Sequence, residues 1–195
     1  MPARDTVLAP PSASTYVNDA LYARVMEELR WAAEAPPANA AATLRRTIEG
    51  FLHYEARLLD QGQFEAWANL FAPECIYWAP ANPAADVRNN VAIFFDDRRR
   101  LDDRVTRLLS SYAHNQAPRP RLRHLISNIE IWPIENGARV LSSQIVHQHR
   151  SGRHSVVYVS GVGHTLRKTD EGWRIELKRI TLVNFDEALE PPTLL

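Results

Sequence analysis

The sequence predicts an α+β fold in which a curved antiparallel sheet wraps around a long helix. Three observations carry this reading. Leu44, Ile48, Phe51, Leu52, Leu58 and Leu59 fall on one stripe at helical spacing. From Arg121 the period changes to two, and four long strand-like runs are separated by Asn136-Gly137, Ser151-Gly152 and Asp170-Glu171-Gly172. Gly161, Gly163 and a loss of alternation near Lys178-Arg179 would bend such a sheet sharply.

In chain order, residues 1–42 read as an extension. Pro10, Pro11, Ser12 and Ser14 open it and Ala35-Pro36-Pro37-Ala38 closes it, both helix-breaking contexts. Between them Tyr16, Ala20, Ala23, Val25, Met26 and Leu29 have helical spacing, so a short helix on an arm is expected, lying on a neighbouring subunit or in solvent. The long helix follows, with Gly62 placed as its C-terminal cap. Phe64, Trp67, Ala68 and Phe71 predict a second short helix ended by Pro73, and CIYWAP at 75–80 predicts the first strand. Asp96 and Asp97 suit the N-terminus of a further helix, where negative charge meets the positive end of the helix dipole. Its apolar row is Leu101, Val105, Leu108 and Leu109.

Of the four strands after Arg121, the third places Val156, Tyr158, Val162, His164 and Leu166 on one face. Val157, Val159, Gly161, Gly163 and Thr165 lie on the other, so both faces are partly apolar. The fourth alternates through Trp173, Ile175 and Leu177, then moves its phase to Ile180 and Leu182, which predicts a bulge near Lys178-Arg179. Helices followed by a curved antiparallel meander are an α+β pattern, specifically the cystatin-like cone. We assign residues 43–186 to this cone domain and 187–195 to a C-terminal tail.

Composition narrows the function. With 195 residues and 45% hydrophobic content, the chain can bury a core without staples and is not disordered throughout. Lys+Arg and Asp+Glu are 23 each, so no net field attracts nucleic acid or anionic lipid. The lone cysteine, Cys75, excludes an internal disulfide and suits a reducing compartment. No apolar run approaches the ~20 residues of a membrane span, and the N-terminus lacks a signal peptide's apolar stretch. A cytoplasmic protein is expected.

Several residues could carry chemistry. Tyr54 and Glu55 on the long helix, Tyr77 on the first strand and His124 on the second could meet in a cavity, where a carboxylate beside a histidine would make a general acid/base pair. The alternative is that Tyr54 and Tyr77 are core aromatics and His124 a buried hydrogen-bonding residue. His147 and His149 share one face of a strand and His164 lies on the next, a possible metal set. Arg150-Ser151-Gly152-Arg153 puts cations where a further ligand should be, so hydrogen-bonded or solvent-facing histidines are the preferred reading. Arg98, Arg99, Arg100 and Arg104 interleave with Asp96, Asp97, Asp102 and Asp103, which points to ion pairs within the helix and across a subunit contact. Arg119, Arg121 and Arg123 form a second basic run.

Four stretches in order carry a family resemblance: FLHYEARLLDQGQFEAWANLFAPECIYWAP, FFDDRRRLDDRVTRL, PRLRHLISNIEI and GWRIELKRITLVN. Together, spanning about Leu44 to Phe185, they resemble the β (small) subunit of aromatic-ring-hydroxylating dioxygenases, the Rieske non-haem iron oxygenases. The resemblance implies a structural subunit with no catalytic, cofactor-binding or metal residue of its own. It implies a Rieske α subunit as partner, holding the iron–sulfur cluster and mononuclear iron and dihydroxylating an aromatic compound. It further implies a β trimer within a hexamer of three α and three β chains, serving catabolism of aromatic hydrocarbons. A Rieske cluster needs two Cys and two His ligands, which one cysteine cannot supply. The competing reading is a stand-alone cone-fold dehydratase, cyclase or isomerase using Tyr54, Tyr77 and His124. The charged helix and the arms favour the subunit.

Overall fold

The computed structural model describes residues 16–83, 86–109, 120–152, 155–187 and 192–195. The elements are α1 (Asp19–Glu34), α2 (Ala42–Asp60), α3 (Phe64–Ala68), β1 (Phe71–Pro80), β2 (Ala92–Asp96), α4 (Arg98–Leu109), β3 (Arg121–Ile134), β4 (Gly137–His149), β5 (Val156–Thr169) and β6 (Gly172–Leu182). The proline- and serine-bearing opening of the extension, Arg119 and Arg153 lie outside the described residues. One six-stranded sheet has the order β2-β1-β6-β5-β4-β3. Strands β3 to β6 form the expected antiparallel meander, β2 pairs antiparallel with β1, and β1 joins β6 in parallel.

Helix α2 lies against the inner face of this sheet. Ile48, Leu52, Leu58 and Leu59 on its stripe are buried. It stops where predicted: Gly62, at φ 67, donates its N–H to Leu59 O, and Gln63 donates to Leu58 O. That pair of bonds satisfies the last helical carbonyls, and the left-handed residue it needs is the glycine. Inside the cone, α2, α3 and α4 share one core with Tyr77, Val140, Val146, Tyr158, Val162, Leu166, Ile175 and Ile180.

The sheet's outer face holds a second, smaller core. Helix α1, capped by the Asn18 side chain on Leu21 N at 3.0 Å, buries Leu21 and Val25 against Ile76, Trp78 and Leu177. At its start Tyr16 Oη donates to Cys75 O at 2.8 Å and accepts from Arg98 N at 2.6 Å. At its far end Trp31 meets Trp132 edge-on at 5.0 Å, and Glu28 pairs with Arg139 at 2.6 Å. Helix α1 therefore spans the outer face from β1 to the β3–β4 hairpin. The sequence offered a neighbour or solvent as its resting place; the structure gives its own sheet.

Four local expectations change. The short helix ends at Ala68, and β1 begins at Phe71 rather than Cys75. Pro73 does not end a helix; it is exposed in β1 where the pairing with β6 is interrupted between Phe71 and Ile76, so its missing N–H leaves no ladder bond unmade. Asp96 closes β2, an edge strand the sequence reading did not anticipate, and Asp97 caps α4 by accepting from Arg100 N at 2.8 Å. The β6 bulge falls at Glu176, between the pairs Leu166–Ile175 and Thr165–Leu177. Leu177 therefore faces outward under α1, while Lys178 turns into the core. In the Asn136-Gly137 turn only Asn136 has positive φ, at 55°. Gly137 is needed for a different reason: a Cβ there would lie 2.2 Å from Leu166 O on β5.

The arginines of α4 divide. Arg98 pairs with Asp102 at 2.9 Å and donates to Ala68 O at 2.9 Å, and Arg104 pairs with the buried Asp96, so both bind α4 to its own domain. Arg99 and Arg100 are exposed; Arg99 lies 3.8 Å from Asp103 and Arg100 donates to Phe95 O at 3.3 Å.

Gly137→Ala is expected to lower unfolding stability by about 1–3 kcal/mol, since backbone must move to admit the methyl group. Gly62→Ala costs about 1–2 kcal/mol through its left-handed backbone alone. Urea midpoints of both variants check this. A harmless Gly137→Ala would show that β4 and β5 are not so closely apposed.

Candidate functional site

The polar groups inside the cone converge on Glu55. The helical stripe that buries Ile48 and Leu52 also carries Glu55 inward, where it is 2% exposed. Lys178 Nζ donates to its Oε1 at 2.8 Å and Trp67 Nε1 donates to the same atom at 3.2 Å. His164 Nε2 lies 3.1 Å from Oε2. Register explains the meeting: His164 pairs with Lys178 and Lys178 with Tyr77, so three inner-face residues stand in one row across β5, β6 and β1. Burial alone pushes the Glu55 carboxyl up, but the charges of Lys178 and His164 outweigh it and hold the group well below the usual carboxylate range.

Tyr77 sits beside this cluster, its ring 5.3 Å from Trp67 and stacked on Phe94 at 4.6 Å. Its hydroxyl is turned to the C-terminal segment, donating to the Leu195 backbone oxygen at 2.9 Å and accepting from Leu195 N at 2.9 Å. Burial drives the phenol pKa far above its ordinary value. Gln148 Oε1 accepts from Thr193 N at 3.2 Å, and Leu194 and Leu195 are 1% and 0% exposed within the main core. The segment Pro192–Leu195, expected as a tail, thus occupies part of the cone's interior.

The other candidates lie elsewhere. Tyr54 is on the outer side of α2, 40% exposed, with Arg57 over its ring at 5.2 Å. His124 is buried but belongs to the end of α2, where Asp60 Oδ1 accepts from His124 N at 3.0 Å and lies 2.7 Å from Nδ1. The expected set of Tyr54, Glu55, Tyr77 and His124 is therefore not one site, because one helix presents Tyr54 and Glu55 on different sides. His147 and His149 lie on the outer face of β4, His149 within 2.9 Å of Ser155 Oγ, whereas His164 points inward. The sheet stands between them. Among the described residues no three His, Cys, Asp or Glu side chains are grouped to hold a metal. Cys75 is buried and its thiol is pushed up to about 12 by that burial, which suits packing better than iron ligation.

Trp67, Lys178 and Asp60 are not site candidates in the sequence, where Trp67 counts only as an apolar position of the short helix. Lys178 left a trace, as the residue at which the alternation of β6 fails. Asp60 and Trp67 left none, since their partners are more than ten positions away.

Residues 54–185 match the family described as "Ring hydroxylating beta subunit". The small oxygenase component of the p-cumate 2,3-dioxygenase system of Pseudomonas putida is 35% identical over 156 residues, covering 78% of this chain and 85% of that protein. A structure of naphthalene 1,2-dioxygenase with indole bound gives a TM-score of 0.70 at 16% identity, covering 80% of this chain and 87% of that one. A putative scytalone dehydratase from Novosphingobium aromaticivorans gives 0.58 at 17% identity, covering 76% and 91%. At such identities the structural likenesses show the shared cone fold and nothing finer. Sequence kinship over two thirds of the chain is more specific, and by it the chain belongs to the family of ring-hydroxylating β subunits.

Proposed function

We propose that this chain is a non-catalytic, structural β subunit of a multicomponent aromatic-ring-hydroxylating dioxygenase. Its partner is an α subunit holding the Rieske cluster and mononuclear iron, which performs the dihydroxylation, in a hexamer of three α and three β chains with the β chains as a trimer. A cytoplasmic location goes with this reading; among the described residues no helix is long and apolar enough to cross a membrane. With a single buried cysteine, this chain does not fit the cluster.

The observation that carries the non-catalytic reading is the state of the cone's interior. An enzyme working there would need room for substrate beside Tyr77 and a base able to take a proton. Leu194 and Leu195 are packed into the core and Tyr77 is bound to their backbone. The Glu55 carboxylate is held ionised by Lys178 and His164, with its oxygens occupied, which makes it a poor base. What these groups do is fix α2, α3, β5 and β6 to one another.

The outer face supports assembly. Leu125 pairs with Ile145, Ile145 with Val159, and Val183 N donates to Val159 O, so four apolar side chains form one row across the strands. They are 55%, 43%, 41% and 66% exposed. A contiguous apolar row of this kind marks a surface that another chain covers.

Three outcomes follow for the interior. Glu55→Leu leaves Lys178 buried without its counter-charge and should cost about 3–5 kcal/mol of unfolding stability, while Glu55→Leu with Lys178→Met should recover a large part. Because the folded state binds the Glu55 proton more weakly than the unfolded chain, its contribution is complete above about pH 4.3 and drains as pH falls below that value. Denaturant titrations between pH 3 and 7 read both. Tyr77→Phe and His124→Gln, assembled with the α subunit, should keep turnover per complex within a fewfold, whereas loss of a true general acid or base costs about 10²–10⁴-fold. A hundredfold fall with the α-subunit iron intact would reject the structural reading.

For the outer face, Ile145→Lys and Val159→Lys should abolish co-purification with the α subunit or reduce the β oligomer. The melting temperature of the isolated chain should shift little, since both side chains already meet water. Light scattering at micromolar concentration checks this; assembly unchanged by both would assign the contact to another surface.

A further inference from the structure

Helix α1 covers only part of the outer face and leaves beside it a groove of about 520 Å³. Its walls are apolar, with Met26 and Leu29 from α1 facing Leu141 from β4. Gly161 keeps the floor open, because a Cβ there would meet nothing within 4 Å. Arg179 of β6 borders both this groove and the narrow space beneath α1. Its register partners are Gly163 and Trp78. The guanidinium lies over Gly163, where a Cβ would sit in ordinary contact with Arg179 Nε at 3.6 Å.

Arg179 makes no hydrogen bond or close ion pair among the described residues, although it is half-buried. Burial draws its pKa down, and only the charge of Glu28 opposes this. Glu28 is already engaged, accepting from Arg139 Nη2 at 2.6 Å and from Thr165 Oγ1 at 3.3 Å. Thr181 also lines the groove, its Oγ1 turned away from the open space and buried. Arg30 adds a second positive charge to the lining. A half-buried cation without a partner at the edge of an apolar hollow calls for an anion with a hydrophobic body.

We propose that this groove binds a small carboxylate with a compact apolar body, the carboxylate on Arg179 and the body between α1 and Leu141. The site is distinct from the cone interior and does not depend on the assembly reading. The probe is benzoate, titrated into the purified full-length chain by calorimetry or by amide chemical shifts, with neutral benzamide and body-less acetate as controls. Benzoate should bind saturably, and both controls at least about tenfold more weakly. Arg179→Gln should weaken benzoate about tenfold or more, while Arg179→Lys retains part of the affinity. Gly161→Leu fills the groove without touching the cation, and should block benzoate with little change in melting temperature. No saturable binding, equal binding of benzamide, or benzoate binding indifferent to both Arg179→Gln and Gly161→Leu would overturn the proposal. So would the case in which benzoate does not bind and Arg179→Gln instead weakens assembly, which would assign the groove to a partner's acidic side chain.

Discussion

Glu55 is where helix α2, the short helix α3 and two central strands are joined. A carboxylate removed from water is tolerated only when its charge is met and its lone pairs are used. Lys178 and His164 meet the charge, and Trp67 takes a further lone pair. That requirement reaches into the backbone. Lys178 can face inward beside Ile180 only because β6 takes up an extra residue at Glu176, and the same bulge turns Leu177 outward to form the floor under α1. One buried ion pair therefore fixes the register of β6, the seat of α1 and the placing of the row that includes Tyr77.

The two faces of the sheet have been put to different uses. The inner face is packed with side chains from α2, α3 and α4 and with the segment Pro192–Leu195. Glu55, Lys178, Trp67 and the Tyr77 hydroxyl are bonded to one another or to the backbone, while His164 Nδ1 has no partner among the described residues. The outer face is unevenly covered. Helix α1 protects the β1–β6 side through Leu21 and Val25, while the row from Leu125 to Val183 is left to water. Burial in an assembly is the ordinary resolution of such a surface. The family's cone fold is shared with a putative dehydratase, so fold alone does not separate enzyme from subunit. The filled interior, with Leu194 and Leu195 in it, is what favours the subunit proposed above.

Much of the architecture was legible in the residues. Periodicity located α2, α4 and the four long strands, and Gly62 marked the end of α2 with the chemistry its position requires. The resemblance drawn from four ordered stretches led to the family that residues 54–185 match. The candidate site was less legible. Glu55 and Tyr77 were rightly placed inside, but Tyr54 and His124 were grouped with them on residue type alone. The Asn136-Gly137 turn was located correctly for a partly incorrect reason, since Gly137 answers to Leu166 on β5 and not to its own φ.

The division has a physical cause. Helical stripes, caps and strand alternation arise from contacts within a few positions, and the sequence by itself determined those elements and the α+β class. Which strand lies beside which, and which side chain faces which, depends on register between residues more than a hundred positions apart, as with Glu55 and Lys178. A single extra residue in β6 reverses the faces of everything after it, and no local pattern says where that residue must fall. The tertiary structure alone decided that His164 rather than His124 meets Glu55, and that α1 rests on its own sheet. It alone decided that the cone is filled from within, because each follows from the simultaneous burial of charge and apolar surface in one closed core.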